Sequence, residues 1–280
     1  HKEYRRQRQM CIRDRTMGHS DQGRAIDIVT LSRGDVSDHK AIYINGTHHG
    51  DEKASTESVL GIIDFLIRQS EEPVIKDLLE EYAIYLQPLI NPDGHAANTR
   101  FDSNGTDPNR DYAFPGRTDR DSFKTQSARL VKSLMSRVRF RAAIAFHSGM
   151  EGVLWAWAHS AQPPPDVDVF YTLSKISANA MGLARYKQSF DDYPAKGEFI
   201  DYAYMTFGTL AVTFEVSETV APPENQLERV VTRAVKGAVA YLLTISDLDH
   251  GSLNISRNIS KLQDIISANR SADGERGQRF

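Results

Sequence analysis

The sequence predicts an α/β fold with a mixed, largely parallel central sheet and helices on both faces. Two observations carry this. Short β-branched and apolar segments alternate with stretches whose apolar residues recur at helical spacing, as in sheets built by crossover connections. The polar residues of greatest chemical interest fall just after the apolar segments, at the carboxyl ends of strands, where such sheets carry their sites.

Taken in order, residues 25–32 (AIDIVTLS) and 41–47 (AIYINGT) read as strands. Val59, Ile62, Ile63 and Leu66 share one helical face. Residues 82–90 form the next strand, closed by the turn signal Asn91-Pro92-Asp93-Gly94. Residues 95–125 are polar and rich in Gly, Asn, Asp and Pro, and loops of that length inside a compact domain tend to be functional. Val131, Leu134, Met135 and Val138 mark another helix. Residues 142–146 form a short strand ending at His147, and residues 152–158 a further one. Val169, Leu173, Ile176 and Ala180 give a third helix, residues 210–216 (LAVTFEV) a strand, and Leu227, Val230, Val231 and Ala234 the start of a long fourth helix.

The chain has 280 residues, 40% hydrophobic and 25% charged, which suits a globular domain with a substantial core. A formal net charge of -3 speaks against nucleic acid as a partner, and no apolar run is long enough for a membrane span. The single cysteine, Cys11, rules out a disulfide within the chain and a cysteine-rich zinc site, so any metal must be held by His, Asp or Glu. Residues 1–16 are charged and aperiodic, lack the apolar core of a signal peptide, and read as a doubtful or artefactual segment. A chain that begins at His1 reads as a fragment or a processed form. Residues 17–247 hold the globular domain, and residues 248–280 read as a polar tail or the start of a further domain.

His49 and Glu52 follow a strand and are separated by two residues, so a tight turn can aim both at one point. That short pair arises often by chance, and His48 with Asp51 offers a rival in the adjacent register. His147 ends an apolar strand, where a core histidine is the plainer reading; as a third ligand it completes a set that leaves one zinc position for water. Glu215 sits between Phe214 and Val216, where a carboxylate is costly unless it is paired, functional or facing solvent. Arg100, Asn109 and Arg110 lie in the long polar loop, where arginines either recognise carboxylates or simply coat the surface.

These residues line up with a family. The chain resembles the zinc carboxypeptidases, the group of carboxypeptidases A and B and of the regulatory carboxypeptidases E and N, from about Gly18 to about Asp247. The likeness runs in order through Gly18-His-Ser-Asp-Gln-Gly-Arg24, Gly46-Thr-His-His-Gly-Asp-Glu52, Asn91-Pro-Asp-Gly94, Arg100, Asp107-Pro-Asn-Arg110, Phe146-His-Ser148, Tyr193, Asp201-Tyr-Ala-Tyr204 and Phe214-Glu215. The resemblance implies one zinc per chain on His49, Glu52 and His147, which selects His49 over His48. It implies Glu215 as general base and Arg100 as the partner of the developing oxyanion. It also implies Asn109 and Arg110 as a clamp on the substrate's terminal carboxylate, and Tyr193 as a mobile residue closing over that end. The implied activity is hydrolysis of the C-terminal bond of peptides and proteins by water activated at the zinc, in a monomer outside the cytoplasm. A zinc deacylase or peptidoglycan-stem peptidase on the same fold, or a non-catalytic binding domain, would share much of this pattern.

The motif spacing is nearer the E and N branch: Arg100 and Asn109 are close, and the first motif reads His-Gly-x-Glu. Ile200 stands where basic-specific members carry a polar or acidic residue, so an apolar pocket and release of apolar or aromatic C-terminal residues are expected. Asp51 replaces an arginine of the A-type members. The family's usual elements before Gly18 are not evident in residues 1–16, and an N-terminally truncated domain is expected.

Overall fold

The computed structural model describes residues 10–251. Its strands are β1 (Met10–His19), β2 (Ala25–Arg33), β3 (Lys40–Gly46), β4 (Tyr82–Gln87), β5 (Phe140–His147), β6 (Met150–Trp155), β7 (Tyr186–Gln188) and β8 (Leu210–Ser217). Its helices are α1 (Lys53–Arg68), α2 (Pro73–Glu81), α3 (Pro92–Ala97), α4 (Gln126–Arg137), α5 (Val167–Met181), α6 (Phe199–Phe207) and α7 (Glu224–Asp249). The strands form one sheet in the order β1-β2-β4-β3-β5-β8-β6-β7. The centre, β4-β3-β5-β8, is parallel, while β1, β2 and β6 join antiparallel. The expected mixed, largely parallel sheet is thus present.

Successive residues of the central strands serve two cores. Ile42, Ile44, Ile84, Ile144, Phe146, Val212 and Phe214 pack under α1, α2, α5 and α7. Tyr43, Tyr85, Ala143, Ala145 and Ala211 pack under α4 and α6. Because both faces are dry, these strands read as continuous apolar runs.

Three helices exceed those the periodicity announced. α2 starts with Pro73 in its first turn, where a missing N–H costs nothing. At α3 the predicted turn becomes a helix, because the Asn91 side chain accepts from Gly94 N at 3.0 Å and caps it. Six consecutive residues of α6, from Phe199 through Tyr204, are buried, so no polar stripe marks its period.

The sequence reading of residues 1–16 as aperiodic needs correction where the structure reaches them. Residues 10–16 belong to β1, which pairs with β2 from Met10↔Arg33 to His19↔Ala25. Ile12, Arg13, Asp14, Arg15 and Thr16 are all exposed, and such an edge strand shows no apolar alternation. The following turn is anchored by Asp93 at the start of α3. Its buried carboxylate accepts from Ser20 Oγ at 2.6 Å, Gln22 N at 3.1 Å and Arg24 Nη1 at 2.7 Å. At the other end α7 continues through Asp249, which accepts from Arg141, Tyr82 and Lys40 at 2.8 to 3.0 Å. The polar tail expected from residue 248 lies outside the described residues from 252 onward. No described helix is long and apolar enough to cross a membrane.

Candidate active site

The carboxyl ends of β3, β5 and β8 meet side by side, with Gly46 opposite Phe146 and His147 opposite Glu215. The chain leaves β3 through Thr47, whose φ of 62° is costly for a β-branched residue. Asn91 N donates to Thr47 O at 3.1 Å, and Thr47 Oγ1 lies 2.6 Å from Thr56 Oγ1; these bonds hold the strained turn. The turn brings His49 Nδ1 to 2.6 Å from Glu52 Oε1, and α1 begins at the next residue. It also presses Gly50 against α3, where an added Cβ would lie 2.0 Å from the Gly94 carbonyl carbon. Gly50→Ala is therefore expected to cost about 3 kcal/mol or more, since backbone cannot yield as a side chain does. A lowered urea midpoint at unchanged slope checks it.

His147 completes the cluster from the end of β5. Its Nδ1 is 2.9 Å from Glu52 Oε2 and 3.2 Å from His49 Nδ1, while Ser148 N donates to Glu52 Oε2 at 3.1 Å. One donor atom from each of His49, Glu52 and His147 lies within 4.8 Å of the others, and all three side chains are buried. Two imidazoles and a carboxylate are the donor types of a catalytic zinc with one position left open. Asp107 stands behind them, its Oδ1 3.2 Å from His49 Nε2, the outer carboxylate that orients a ligating ring. Burial works against the His49 imidazolium, yet Glu52 and Asp107 outweigh it and raise its pKa to about 9. Such a field favours positive charge at this point. His48 is directed elsewhere: its Nε2 lies 2.9 Å from the Tyr112 hydroxyl and its ring stacks on that of His147.

A cavity of about 610 Å³ opens over the cluster. Glu215 lines it, next to His147 across the β5–β8 pair. Its Oε2 is sealed from solvent and has no hydrogen-bond partner among the described residues. Burial pushes its carboxyl well above the usual carboxylate range, and the Glu52 charge pushes it further. Arg100 lines the cavity too, with Nε 2.8 Å from Asp107 Oδ2 and Nη1 4.0 Å from Glu52 Oε1.

Asn109 and Arg110 line it as well, and Asn109 Nδ2 lies 3.4 Å from His147 Nε2. Asn109 Oδ1 accepts from Phe199 N at 2.9 Å, and Arg110 Nη1 donates to Asn109 O at 2.8 Å. The exposed Tyr193 ring lies 5.8 Å from the Arg110 guanidinium carbon. Ile200 is the expected site residue that the fold does not bring here. It is 1% exposed, packs in the core under α6 and is absent from the cavity wall. Glu198, two residues earlier, takes the wall position and lies 3.2 Å from Arg110 Nη1. The sequence reading quotes Asp107 within a motif but gives it no role, and it passes over Glu198. For Asp107 a signal was present, an acid within the same short motif as Asn109 and Arg110; for Glu198 there was none.

The zinc carboxypeptidase family model matches residues 3–237. The chain belongs to the zinc carboxypeptidase family. Carboxypeptidase SOL1 of Arabidopsis thaliana is 22% identical over 235 residues, which cover 77% of this chain and 48% of that protein. Carboxypeptidase A1 of Mus musculus is 25% identical over 238 residues, 72% of this chain and 57% of that protein. The chain thus spans about half the length of the curated relatives it matches. Carboxypeptidase A from Helicoverpa armigera shares the fold with a TM-score of 0.74 at 17% identity, covering 84% of this chain and 68% of that one. The family implies zinc, and the buried His49, Glu52 and His147 are donors of a kind and spacing that could hold it.

Proposed function

We propose that this chain is a metallocarboxypeptidase that removes the C-terminal residue of peptides, using one zinc held by His49, Glu52 and His147. The observation that carries this reading is one cavity lined by three converging donors, by Glu215 and by Arg110. Zinc there would supply a Lewis acid that polarises the scissile carbonyl and makes water more acidic.

The protein's own groups account for the rest. Glu215, beside His147 in the cavity wall, removes a proton from the attacking water and returns it to the leaving amine. Arg100 supplies positive charge where the carbonyl oxygen becomes negative. Arg110, with Asn109 beside it, binds the terminal carboxylate through charge-assisted hydrogen bonds. Tyr193 covers that end of the substrate. The apolar preference expected from Ile200 has no support in the cavity wall, because Ile200 belongs to the core.

Peptides that differ only in a free or amidated C-terminus test this reading. The free acid is expected to lose its last residue at least about 100-fold faster, because an amide lacks the charge that Arg110 binds. Equal rates on both, or hydrolysis confined to N-acyl groups, would replace the carboxypeptidase reading with an endopeptidase or a deacylase.

A further inference from the structure

A metal-ligating imidazole is normally fixed by an acceptor on the nitrogen that faces away from the metal. The two histidines of the cluster differ in this respect. His49 turns Nδ1 to Glu52 at 2.6 Å and has Asp107 Oδ1 3.2 Å from its Nε2, so a carboxylate fixes its outer hydrogen. His147 also turns Nδ1 to the cluster, 2.9 Å from Glu52 Oε2. Its Nε2 must then carry the ring hydrogen when Nδ1 serves as the donor. Among the described residues, the one hydrogen-bonding group beside that Nε2 is Asn109 Nδ2 at 3.4 Å. Asn109 Oδ1 is engaged by Phe199 N at 2.9 Å, so the amide presents its NH2 side to His147. Two donors face each other there, and no acceptor fixes the ring.

A histidine ring turns easily about its last torsion. Packing must therefore hold His147 at its angle. The His48 ring lies against it, with centroids 5.6 Å apart and planes 10° from parallel. His48 is itself anchored. Its Nε2 is 2.9 Å from the Tyr112 hydroxyl, and the Phe199 ring lies 5.6 Å away. His48, Tyr112 and Phe199 are all fully or almost fully buried. In so dense an interior, one ring cannot tilt without displacing its neighbours. The histidine that rivals His49 on spacing thus has its place beside a ligand rather than on the metal.

We propose that His48 is a positioning residue: its ring, anchored by Tyr112 and Phe199, sets the angle at which His147 meets the metal. The proposal rests on the zinc reading above, and its test separates the two. Zinc affinity of the full chain is measured by competition with a chromophoric chelator. The visible spectrum of Co2+ bound in place of zinc reports the geometry of the donors. His48→Leu removes the flat ring and is expected to weaken zinc binding about 10- to 100-fold, the typical cost of losing the partner that orients a ligating histidine. Its Co2+ bands are expected to shift. His48→Phe keeps a flat ring and loses the Tyr112 bond, and is expected to recover most of the affinity. Tyr112→Phe deletes one oxygen and is expected to shift the Co2+ bands in the same direction, with a smaller loss of affinity.

Tyr112→Phe asks little of the fold, so a poorly folding His48→Leu leaves the proposal open to refutation. Wild-type zinc affinity with an unshifted Co2+ spectrum in either variant would overturn it. That holds even where the metal-free variant melts earlier, the mark of a merely structural residue. A His48→Phe variant that binds zinc as weakly as His48→Leu would overturn it too. If the wild type binds no zinc, the zinc reading itself fails and takes the inference with it.

Discussion

Glu215→Gln is expected to abolish peptide hydrolysis while leaving the metal in place. Glutamine keeps the size and shape of the side chain but cannot accept a proton from water. General acid–base catalysis contributes about 10²- to 10⁴-fold, and one group here serves both proton transfers, so a loss of about 10³-fold or more in kcat is expected. The site should otherwise survive. Glu215 Oε2 makes no hydrogen bond among the described residues, so the substitution breaks none there. It also replaces a carboxyl that burial disfavours as an anion. Zinc content by atomic absorption and kcat on a free-acid peptide are the paired measurements. A variant that kept wild-type kcat would remove Glu215 from the reaction.

His147→Ala is expected to act through the metal. It removes one of three converging donors, and it leaves Glu52 Oε2 with Ser148 N as its remaining close partner. A two-donor site binds zinc far more weakly, and loss of even an outer partner of a ligating histidine typically costs about 10- to 100-fold in affinity. Zinc content should therefore fall from about one per chain to near zero after dialysis against a weak chelator. Activity should fall with it and return only partly at high added zinc. Full zinc retention would show that the donors lie elsewhere.

The parts of the fold legible in the sequence were those that burial forces into a pattern. β3, β5 and β8 are buried on both faces, so they had to be continuous apolar runs, and their ends had to lie together in a parallel sheet. β1 was missed because an exposed edge strand of alternating charges carries no such pattern. α6 was missed because the sequence cannot show a period when nearly every side is covered. At the site, the rivalry between His48 and His49 could not be resolved from spacing alone. In space the left-handed turn at Thr47 leads His49 to Glu52, while His48 meets the Tyr112 hydroxyl. Ile200 and Glu198 show the same limit more sharply. Two residues apart at the start of a helix, they face a core and a cavity, and only the packing of α6 against the Asn109 loop decides which faces which.

The central claim is that one zinc on His49, Glu52 and His147 is required for release of a C-terminal residue. Its most direct test is zinc titration of the metal-stripped protein, followed by hydrolysis of a free-acid peptide at each point. Activity rising from zero and saturating at about one zinc per chain is the predicted result. Hydrolysis undiminished in the stripped protein, or none at any zinc level, would contradict the claim.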